Sequence, residues 1–393
     1  MELNKLSKPS LWTKDFIIIL LATFFVALNF YILMTTLAVY VVEQFSASQS
    51  EAGLAAGIFI IASLFSRLLT GRYIEVIGRR KLLYAGLLLF LVATLLYFPA
   101  NSLGLLLAVR FIHGVAFGIA TTTTATAVMD LIPDERKGEG TSYFSLSPTA
   151  ATAFGPFIGL FILQHADFKM IFAACTLFSA ISLIIILFSK IPEANLTEGQ
   201  RRALKRGFGI QDFFEKKAFS ISIMMVIMGI AYSGIVSFLN SYAIEIQLQD
   251  AAGFFFIVYA IFLFISRPFT GRLLDLKGDN VVIYPAILLF SLSLLLLSYA
   301  YNGFILLLSG ALVALGFGTL MSCSQAIAIR KSPKLRVGLA TSTFFICLDG
   351  GMGIGPYLTG MIVQSADFRG TYLALAIVVF LSVILYYYVH GKQ

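Results

Sequence analysis

Apolar runs long enough to cross a membrane recur from one end of the chain to the other, and they restrict its fold more than any other feature. A transmembrane helix needs about 20 mostly apolar residues, and lipid offers the backbone no hydrogen-bond partners, which favours helices. The sequence predicts twelve such spans, at residues 16–42, 52–70, 82–99, 104–129, 139–164, 168–189, 218–244, 252–270, 280–300, 303–329, 337–363 and 368–388. We therefore expect an all-α integral membrane protein.

The composition supports a membrane protein and excludes several other classes. Of the 393 residues, 59% are hydrophobic and 12% are charged, whereas a soluble domain is about 45–50% apolar and about 25% charged. A soluble enzyme and a disordered protein are therefore excluded. The three cysteines, Cys175, Cys323 and Cys347, lie apart in apolar segments. This pattern predicts neither a metal site nor a disulfide framework, and we expect no cofactor.

The basic residues predict the orientation of the chain. An even number of spans places both termini on one side, and lysine and arginine concentrate on the cytoplasmic side of membrane proteins. Only Lys169 and Arg369 fall in the odd-numbered loops and only three arginines fall within spans, so all other basic residues of the 28 lie on the side of the termini. We expect cytoplasmic termini and a multi-pass protein of the cell (inner) membrane. The net charge of +8 is then explained by the basic residues that orient the chain in the membrane, and no nucleic-acid partner is expected.

The chain repeats itself at an offset of 200 residues. Residues 66–78 and 266–278 share six of 13 positions, and the Gly-Pro pair at 155–156 is matched at 355–356. Matching polar positions in one register indicate two homologous halves in parallel orientation, a plan in which the substrate site lies near the midplane between them. The predicted domains are an N-terminal six-helix bundle (1–190), a basic cytoplasmic linker (191–217) and a C-terminal six-helix bundle (218–393).

Three motifs resemble those of the major facilitator superfamily and of its drug/proton antiporter branch. They are the loop 71–80 (GRYIEVIGRR), residues 110–114 in span four (RFIHG) and residues 151–159 in span five (ATAFGPFIG). The loop carries Glu75 where the superfamily usually has Asp, and the span-five motif begins with alanine instead of glycine. The resemblance covers nearly the whole chain and implies the major facilitator fold, with alternating access by rocking of the two halves.

The first of these motifs and its repeat suggest a cytoplasmic gate. Glycine permits tight turns, and a carboxylate at this place can pair with arginine or with the positive N-terminal end of a helix. We hypothesise that such contacts latch the gate in the outward-open state. The expected gate residues are Gly71, Arg72, Glu75, Gly78, Arg79, Arg80, Gly271, Arg272 and Asp275.

The repeated Gly-Pro pairs suggest points at which two helices bend. Proline removes a backbone donor and kinks a helix, and glycine lets neighbouring helices approach closely. We expect bending at the interface between the halves, with a purely structural kink as the alternative, at Gly155, Pro156, Gly355 and Pro356.

Five arginine, histidine or aspartate side chains lie within the predicted spans and not at their ends, and a charge within a span costs roughly 2.5–3.5 kcal/mol. Arg67 and Arg267 are counterparts in the repeat. Each is predicted about one turn from the cytoplasmic end of its span, where an arginine of the scaffold or gate can reach water. Arg110, His113 and Asp349 have no ionisable counterpart 200 residues away, and this asymmetry marks them for a specific task.

Proton coupling is the task that these three residues suggest. Asp349 lies about 18 Å into span eleven and His113 about 15 Å into span four, so both are near the middle of a roughly 30 Å core. Carboxyl and imidazole groups exchange protons near neutral pH when their surroundings perturb them, whereas arginine does not. Asp349 is the first candidate for the proton carrier and His113 the second, with a packing hydrogen bond as the alternative role of His113. The resemblance gives Arg110 a role near the proton relay.

Polar residues at helical spacing predict a substrate cavity. Three spans each carry a polar stripe on one face. They are the first, fourth and seventh, and in the resembled superfamily these helices and the tenth line the cavity. Hydrogen bonding between helices is the alternative for each stripe. The predicted cavity residues are Asn29, Thr36, Tyr40, Phe117, Thr121, Ser233, Ser237 and Asn240.

The function predicted from these features is a proton-coupled secondary transporter that exports a small organic or amphipathic compound. No GxxxxGK[ST] motif is present, so ATP is not expected to drive it. One alternative is a proton symporter or uniporter that imports a sugar or an organic acid. Another is an integral membrane enzyme or flippase, but no catalytic constellation supports an enzyme. The expected partners are the substrate, protons and the bilayer, and we expect a monomer.

Overall fold

The computed structural model describes residues 10–133, 136–193, 214–333 and 337–392. Helices separated by short turns make up most of these residues. The helices of the first part of the chain are α1 (Lys14–Phe45), α2 (Gln49–Ile77), α3 (Arg79–Leu95), α4 (Leu103–Leu131), α5 (Lys137–His165) and α6 (Phe168–Leu187). Those of the second part begin with α7 (Lys216–Glu245), α8 (Gln249–Lys277) and α9 (Asp279–Ser298). Residues 194–213, most of the predicted linker, lie outside the described residues.

The last helices depart from regular α geometry at defined places. We call residues 303–331 α10; it consists of Gly303–Val313, a π-helical turn at Ala314–Gly318 and Thr319–Lys331. The helical segment Val337–Tyr386 is broken at Asp367, which has φ 54° and ψ −176°. We call the parts before and after this break α11 (337–366) and α12 (368–386). A second π-helical turn, Tyr387–Gly391, follows α12.

Local sequence signals explain several helix boundaries, and some obey the repeat. Ser102 and Asn302 lie 200 residues apart, and the side-chain oxygen of each accepts a hydrogen bond from a backbone N–H in the first turn of its helix. These caps satisfy donors that have no partner within the helix. Gly78 and Gly278 have φ of 105° and 84°, a conformation that glycine adopts without strain, and each joins two helices through a single residue.

Ten helical segments among the described residues are long and apolar enough to cross a membrane. Helix α3 has 17 residues and is not among them, and the last of the ten, Leu339–Gly391, contains the break at Asp367. Many large apolar side chains are exposed on the outside of the molecule, for example Phe269 and Phe304. Such a surface is suited to lipid and not to water.

Two helices continue well beyond the ends predicted for them. The sequence predicted ends at 70 and 270, because Gly71 and Gly271 were taken as turn residues. In the structure α2 continues to Ile77 and α8 to Lys277, with both glycines inside the helices. These predicted turns were wrong, because charged residues end the apolar span without ending the helix. The tight turns are made by Gly78 and Gly278.

Helices α1–α6 pack on one another, and helices α7–α12 do the same. Contact between the two groups runs through α2 with α11, α5 with α8 and α1 with α7. The α2–α11 contact is especially close: a Cβ on Gly57 would lie 2.0 Å from the carbonyl oxygen of Gly353, and one on Gly53 would lie 2.0 Å from that of Pro356. Only glycine permits this approach between two backbones.

The two ends of the molecule differ in charge. The end with the α1–α2, α5–α6, α7–α8 and α11–α12 connections is called the acidic end; its carboxylates are Glu43, Glu51, Asp167, Glu245, Asp250 and Asp367, with Lys169 and Arg369 as its Lys and Arg. The opposite end, with the α2–α3 and α8–α9 turns, is called the basic end. The glycine contacts between α2 and α11 lie toward the acidic end, where Gln364 Nε2 also donates to Ser50 Oγ at 3.1 Å.

Candidate functional site

An ion pair in the interior joins the two groups of helices. The guanidinium of Arg67 on α2 donates to Asp349 Oδ2 on α11 at 2.7 Å, and the two side chains are 31% and 14% exposed. The guanidinium also lies 5.6 Å from the centre of the Phe117 ring, where the face of the ring attracts a cation. Asp349 therefore has a charged partner that the sequence did not assign to it.

The position of Arg67 corrects the sequence-based interpretation. Because α2 ends at Ile77, Arg67 lies ten residues before that end, which is about 15 Å along the axis. A side chain at this depth cannot reach water at the helix end, as was expected from a span ending at residue 70. Arg67 was assigned to the scaffold because it has a counterpart in Arg267, and its pairing with Asp349 was therefore not predicted.

Aromatic side chains surround the middle of the molecule beside this pair. Tyr232 stacks on Phe317 with ring centres 3.9 Å apart and an interplanar angle of 8°, and its ring centre lies 6.1 Å from that of Tyr259. Tyr31 on α1 lies within electrostatic range of Tyr259, Arg67 and Asp349. Phe317 belongs to the π-helical turn of α10, and such turns are frequent at functional sites. None of the three tyrosines was predicted, since an isolated tyrosine in an apolar span carries no pattern.

Arg110 and His113 lie together, but away from Asp349. Both are fully buried among α2, α3 and α4. Arg110 Nε donates to the Ala55 carbonyl at 2.8 Å, and its guanidinium lies 4.4 Å from the centre of the Phe59 ring. The hydroxyl of Tyr97 lies 3.0 Å from His113 Nδ1 and 3.3 Å from an Arg110 nitrogen. His113 Nε2 is buried and has no hydrogen-bond partner in the described part of the chain.

The polar stripe predicted on α1 faces α5 and α6 and does not face a cavity. Asn29 is fully buried and donates to the Cys175 carbonyl at 2.8 Å and to Ser179 Oγ at 2.9 Å. Thr36 packs beside Gly159 of α5. The ring of Tyr40 contacts aromatic rings of α6. The shared face was predicted, but its assignment to the cavity was wrong, because a polar stripe can equally satisfy a neighbouring helix.

The other predicted cavity residues lie in different surroundings. Ser233 is buried where a Cβ on Gly355 would lie 2.1 Å from its Oγ, so it packs on α11 and the cavity assignment was wrong. Ser237 is buried and its hydroxyl has no partner. Phe117 lies beside Arg67, and Thr121 is one turn further along the same helix, partly exposed. Asn240 lines a cavity of about 480 Å³ near the acidic end.

At the basic end, the predicted gate residues of the first motif form a network that stays within the first half of the molecule. Arg79 is buried and pairs with Glu75 at 2.5 Å and with Asp130 on α4. Glu193, which the sequence analysis did not single out, accepts hydrogen bonds from the Arg79 and Arg80 backbone N–H groups at 2.8 and 2.9 Å. It therefore occupies the positive end of α3, where a gate carboxylate was expected.

The remaining gate residues of the first motif make local contacts. Arg80 Nε donates to the Tyr84 hydroxyl at 3.2 Å, and the guanidinium of Arg72 lies 5.7 Å from the centre of the Tyr73 ring. In the second half Arg272 is exposed on α8. The side chain of Asp275 lies outside the described part of the structure.

The second half contains a counterpart of the Arg79–Asp130 pair with the charges exchanged. Asp279 and Arg330 stand 200 residues after Arg79 and Asp130, and they form an ion pair. His390 Nε2 lies 2.8 Å from the second oxygen of Asp279. The place of this ion pair is thus repeated while its polarity is reversed.

The predicted bending residues pack mainly within their own groups of helices. A Cβ on Gly155 would lie 2.5 Å from the Cβ of Tyr31 on α1, and one on Gly355 would meet α7. Placing these glycines between the halves was therefore wrong. Pro156 and Pro356 lie inside α5 and α11, and the Pro356 carbonyl is the atom that Gly53 of α2 approaches.

Comparison with known proteins identifies the family. The model of the Major Facilitator Superfamily matches residues 19–284 and 248–393. The chain belongs to the major facilitator superfamily. As a member it is a multi-pass membrane transporter of small molecules and not an enzyme, and the resemblance seen in its motifs is confirmed.

Individual relatives in the superfamily are distant but cover most of the chain. An uncharacterized MFS-type transporter of Methanocaldococcus jannaschii is 25% identical over 370 residues, 93% of this chain and 95% of the relative. The staphylopine export protein of Staphylococcus aureus is 22% identical over 359 residues, 87% of this chain and 88% of the relative. Among solved structures, a bacterial homologue of the human lysosomal transporter Spinster, inward-facing and occupied, has a TM-score of 0.79 at 13% identity, covering 96% of both chains.

Proposed function

We propose that this superfamily member is a proton-coupled exporter of a small organic compound, with Asp349 as the proton carrier. In this proposal twelve spans cross the cell membrane as two six-helix bundles, 1–190 and 218–393, joined by the linker 191–217. Both termini are cytoplasmic, the transporter acts as a monomer, and the basic end faces the cytoplasm in accordance with the distribution of lysine and arginine.

The observation that carries the proposal is the Arg67–Asp349 ion pair. It links α2 of one half to α11 of the other, so it contributes only while the halves hold this relative position. Protonation of Asp349 removes its charge and therefore the ionic part of the link. Because both side chains are partly exposed, a proton has access to the carboxylate. Proton uptake is thereby coupled to the relative movement of the halves.

The same geometry supports Asp349 over His113 as the carrier. His113 is fully buried between aromatic rings, and the nearest, Phe90, has its centre 4.3 Å away. No helix of the other half contributes to the contacts described for it. A proton on His113 would be close to the Arg110 guanidinium, which repels a second positive charge. We assign Arg110 and His113 to the stability of the first half.

The close contact at the acidic end supports an inward-open state. There α2 and α11 approach backbone to backbone, and Phe157 of α5 lies 5.9 Å from Phe254 of α8. In this proposal the acidic end is outside, these contacts hold the two halves together on the external side, and a cytoplasmic substrate enters from the basic end. Export as the direction is supported by the staphylopine export protein, which aligns with 87% of this chain.

Everted membrane vesicles, whose cytoplasmic face points outward, test the proposal. A resistance and metabolite-export screen on a deletion strain supplies the compound to be measured. With an acidic lumen, the wild type is expected to accumulate that compound in exchange for protons. Asp349→Asn is expected to lose gradient-driven accumulation by more than tenfold while it still exchanges compound, because asparagine imitates the protonated acid.

A matched control replaces an exposed carboxylate at the acidic end. Asp250→Asn removes the same charge from α8 without touching the ion pair, so its gradient-driven accumulation is expected to match the wild type. Accumulation by Asp349→Asn that remains fully driven by the gradient would rule out Asp349 as the carrier. Uptake by right-side-out vesicles that rises with external acid would instead support import of a sugar or an organic acid.

A further inference from the structure

The repeat provides Arg67 with a counterpart whose partner is missing. Arg267 stands 200 residues after Arg67, each preceded by serine and followed three residues later by threonine and glycine. Arg67 pairs with Asp349 of α11. By the same offset, the carboxylate for Arg267 would stand at position 149 of α5, and that residue is Thr149. Its hydroxyl donates to the Ser145 carbonyl of its own helix at 2.8 Å.

Arg267 is consequently a cation without a counter-ion among the residues that the structure describes. Its Nε is enclosed by protein and has no hydrogen-bond partner within residues 10–133, 136–193, 214–333 and 337–392. Among the side chains that the structure describes, no carboxylate pairs with its guanidinium. An unpaired cation in the interior of a membrane protein is costly and marks a functional site.

The depth of Arg267 argues against a purely structural role at the membrane surface. Helix α8 ends at Lys277, so Arg267 lies about 15 Å from that end, further than one arginine side chain extends. The sequence-based prediction that it reaches water one turn from the end of its span was therefore wrong, for the same reason as for Arg67.

The surroundings of Arg267 form a small polar cavity. A space of about 60 Å³ is lined by Arg267, Tyr259 and Leu263 of α8 and by Met321, Ser322 and Gln325 of α10. Gly318, the last residue of the π-helical turn, completes the lining. Tyr259 connects this cavity to the aromatic group at the centre, because its ring centre lies 6.1 Å from that of Tyr232. A guanidinium and an amide supply donors that fit an anionic group.

We propose that Arg267 is the anion-binding group of the substrate site and that the transported compound carries a carboxylate. This inference rests on the proposed transport function and names its substrate class. The carboxylate of the substrate takes the place that Asp349 takes beside Arg67. A planar guanidinium matches a carboxylate through two parallel hydrogen bonds, and Gln325 supplies a further donor.

A binding experiment without any gradient tests this assignment. Full-length protein in lipid nanodiscs is titrated with acetate, succinate, citrate and glutamate, with chloride and inorganic phosphate at matched ionic strength as separate arms, and the thermal unfolding midpoint is followed. At least one carboxylate is expected to raise the midpoint more than chloride or phosphate does. Arg267→Gln is expected to weaken that effect at least tenfold, the usual consequence of removing a charged hydrogen-bond partner. Lys277→Gln, an exposed change on the same helix, is expected to leave it unchanged.

A second variant keeps the assignment falsifiable if Arg267→Gln folds poorly. Thr149→Asp supplies the carboxylate that the repeat lacks, so it is expected to raise the unfolding midpoint without ligand and to abolish the carboxylate effect. The proposal is overturned if no carboxylate outperforms chloride in the wild type, if phosphate alone stabilises, or if Arg267→Gln responds like the wild type. Failure of proton coupling would leave these binding results unaffected, so the two proposals fail separately.

Discussion

At the scale of single residues, the three interior arginines differ in what surrounds their charge. Arg67 has a carboxylate from the other half, Arg110 has backbone carbonyls and an aromatic ring, and Arg267 has no counter-ion among the described residues. A cation bound to carbonyls is held in place whatever the protonation state of its neighbours. A cation bound to a titratable carboxylate is released when that group takes up a proton. This difference is why we place coupling at Arg67 and Asp349.

A prediction at this scale concerns Asn29. Asn29→Ala is expected to lower the stability of the protein by about 1 kcal/mol, since it removes two hydrogen bonds between α1 and α6 and such bonds average about 0.6 kcal/mol. The KM for the transported compound is expected to stay unchanged, because the side chain does not face the cavity. Thermal unfolding and vesicle transport provide the two measurements.

The control for Asn29 is Thr121→Val on α4. The Thr121 hydroxyl donates only to the Phe117 carbonyl of its own helix, at 2.7 Å, so its loss is expected to leave the unfolding midpoint within error. If Asn29→Ala instead raised KM without lowering the midpoint, Asn29 would line the cavity as the sequence first suggested.

At the scale of helices, we propose that the contact between α2 and α11 sets the state of the transporter. Gly53 and Gly57 face the α11 backbone near the acidic end, and Arg67 faces Asp349 further toward the basic end. The glycines allow the backbones of α2 and α11 to approach closely, and the ion pair fixes the position of one helix along the other. The equivalent α5–α8 contact is more open, since a Cβ on Gly253 would meet nothing within 4 Å. The two halves therefore use equivalent helices in unequal ways.

This inequality predicts different outcomes for two glycine substitutions. Gly57→Ala places a Cβ 2.0 Å from the Gly353 carbonyl oxygen, and overpacking of this kind costs about 1–3 kcal/mol in the packed state. The population closed at the acidic end is expected to fall at least severalfold. Spin labels at the exposed positions Lys169 and Asp250, which lie in different halves, are expected to show longer distances.

Gly253→Ala provides the matched control. It makes the same chemical change at the same end of the molecule, and its Cβ meets open space, so the distance distribution is expected to equal that of the wild type. Equal distributions for both glycine variants would show that the α2–α11 contact does not set the state.

At the scale of the whole molecule, the repeat preserves positions more strictly than charges. Arg79 with Asp130 and Asp279 with Arg330 occupy equivalent places with opposite polarity. The structure thus requires an ion pair that ties the start of one helix to the end of the next at the basic end. We infer that neither position requires a particular sign of charge.

Exchange of the charges tests this statement. Asp279→Arg and Arg330→Asp are each expected to lower the unfolding midpoint, because each brings two like charges together. The double variant is expected to recover part of the loss, with a coupling energy of about 0.5–1 kcal/mol for a pair that is partly exposed to water. Asp250→Arg, at an exposed site of the acidic end, is the control for a change of charge alone. A double variant as unstable as the sum of the singles would show that polarity is required.

The sequence by itself determined the apolar helices, the repeat and the unequal charge of the two ends, and it singled out Asp349 as a candidate. These are local or register properties: lipid requires a long apolar stretch for each span, and an offset of 200 residues can be read without any knowledge of contacts. The prediction ended two helices too early, at Gly71 and Gly271. A helix can continue beyond its apolar stretch into water as long as its backbone hydrogen bonds are kept.

Only the tertiary structure decided which groups meet. The position of a residue in a helix shows on which face it lies. A buried helix has several neighbours, however, and the sequence does not show which neighbour each face contacts. Asn29 therefore faces α6 and not a cavity, while Arg67, which was assigned to the scaffold, meets Asp349 across the two halves. Partners 282 residues apart are brought together by packing, and packing is a property of the whole molecule.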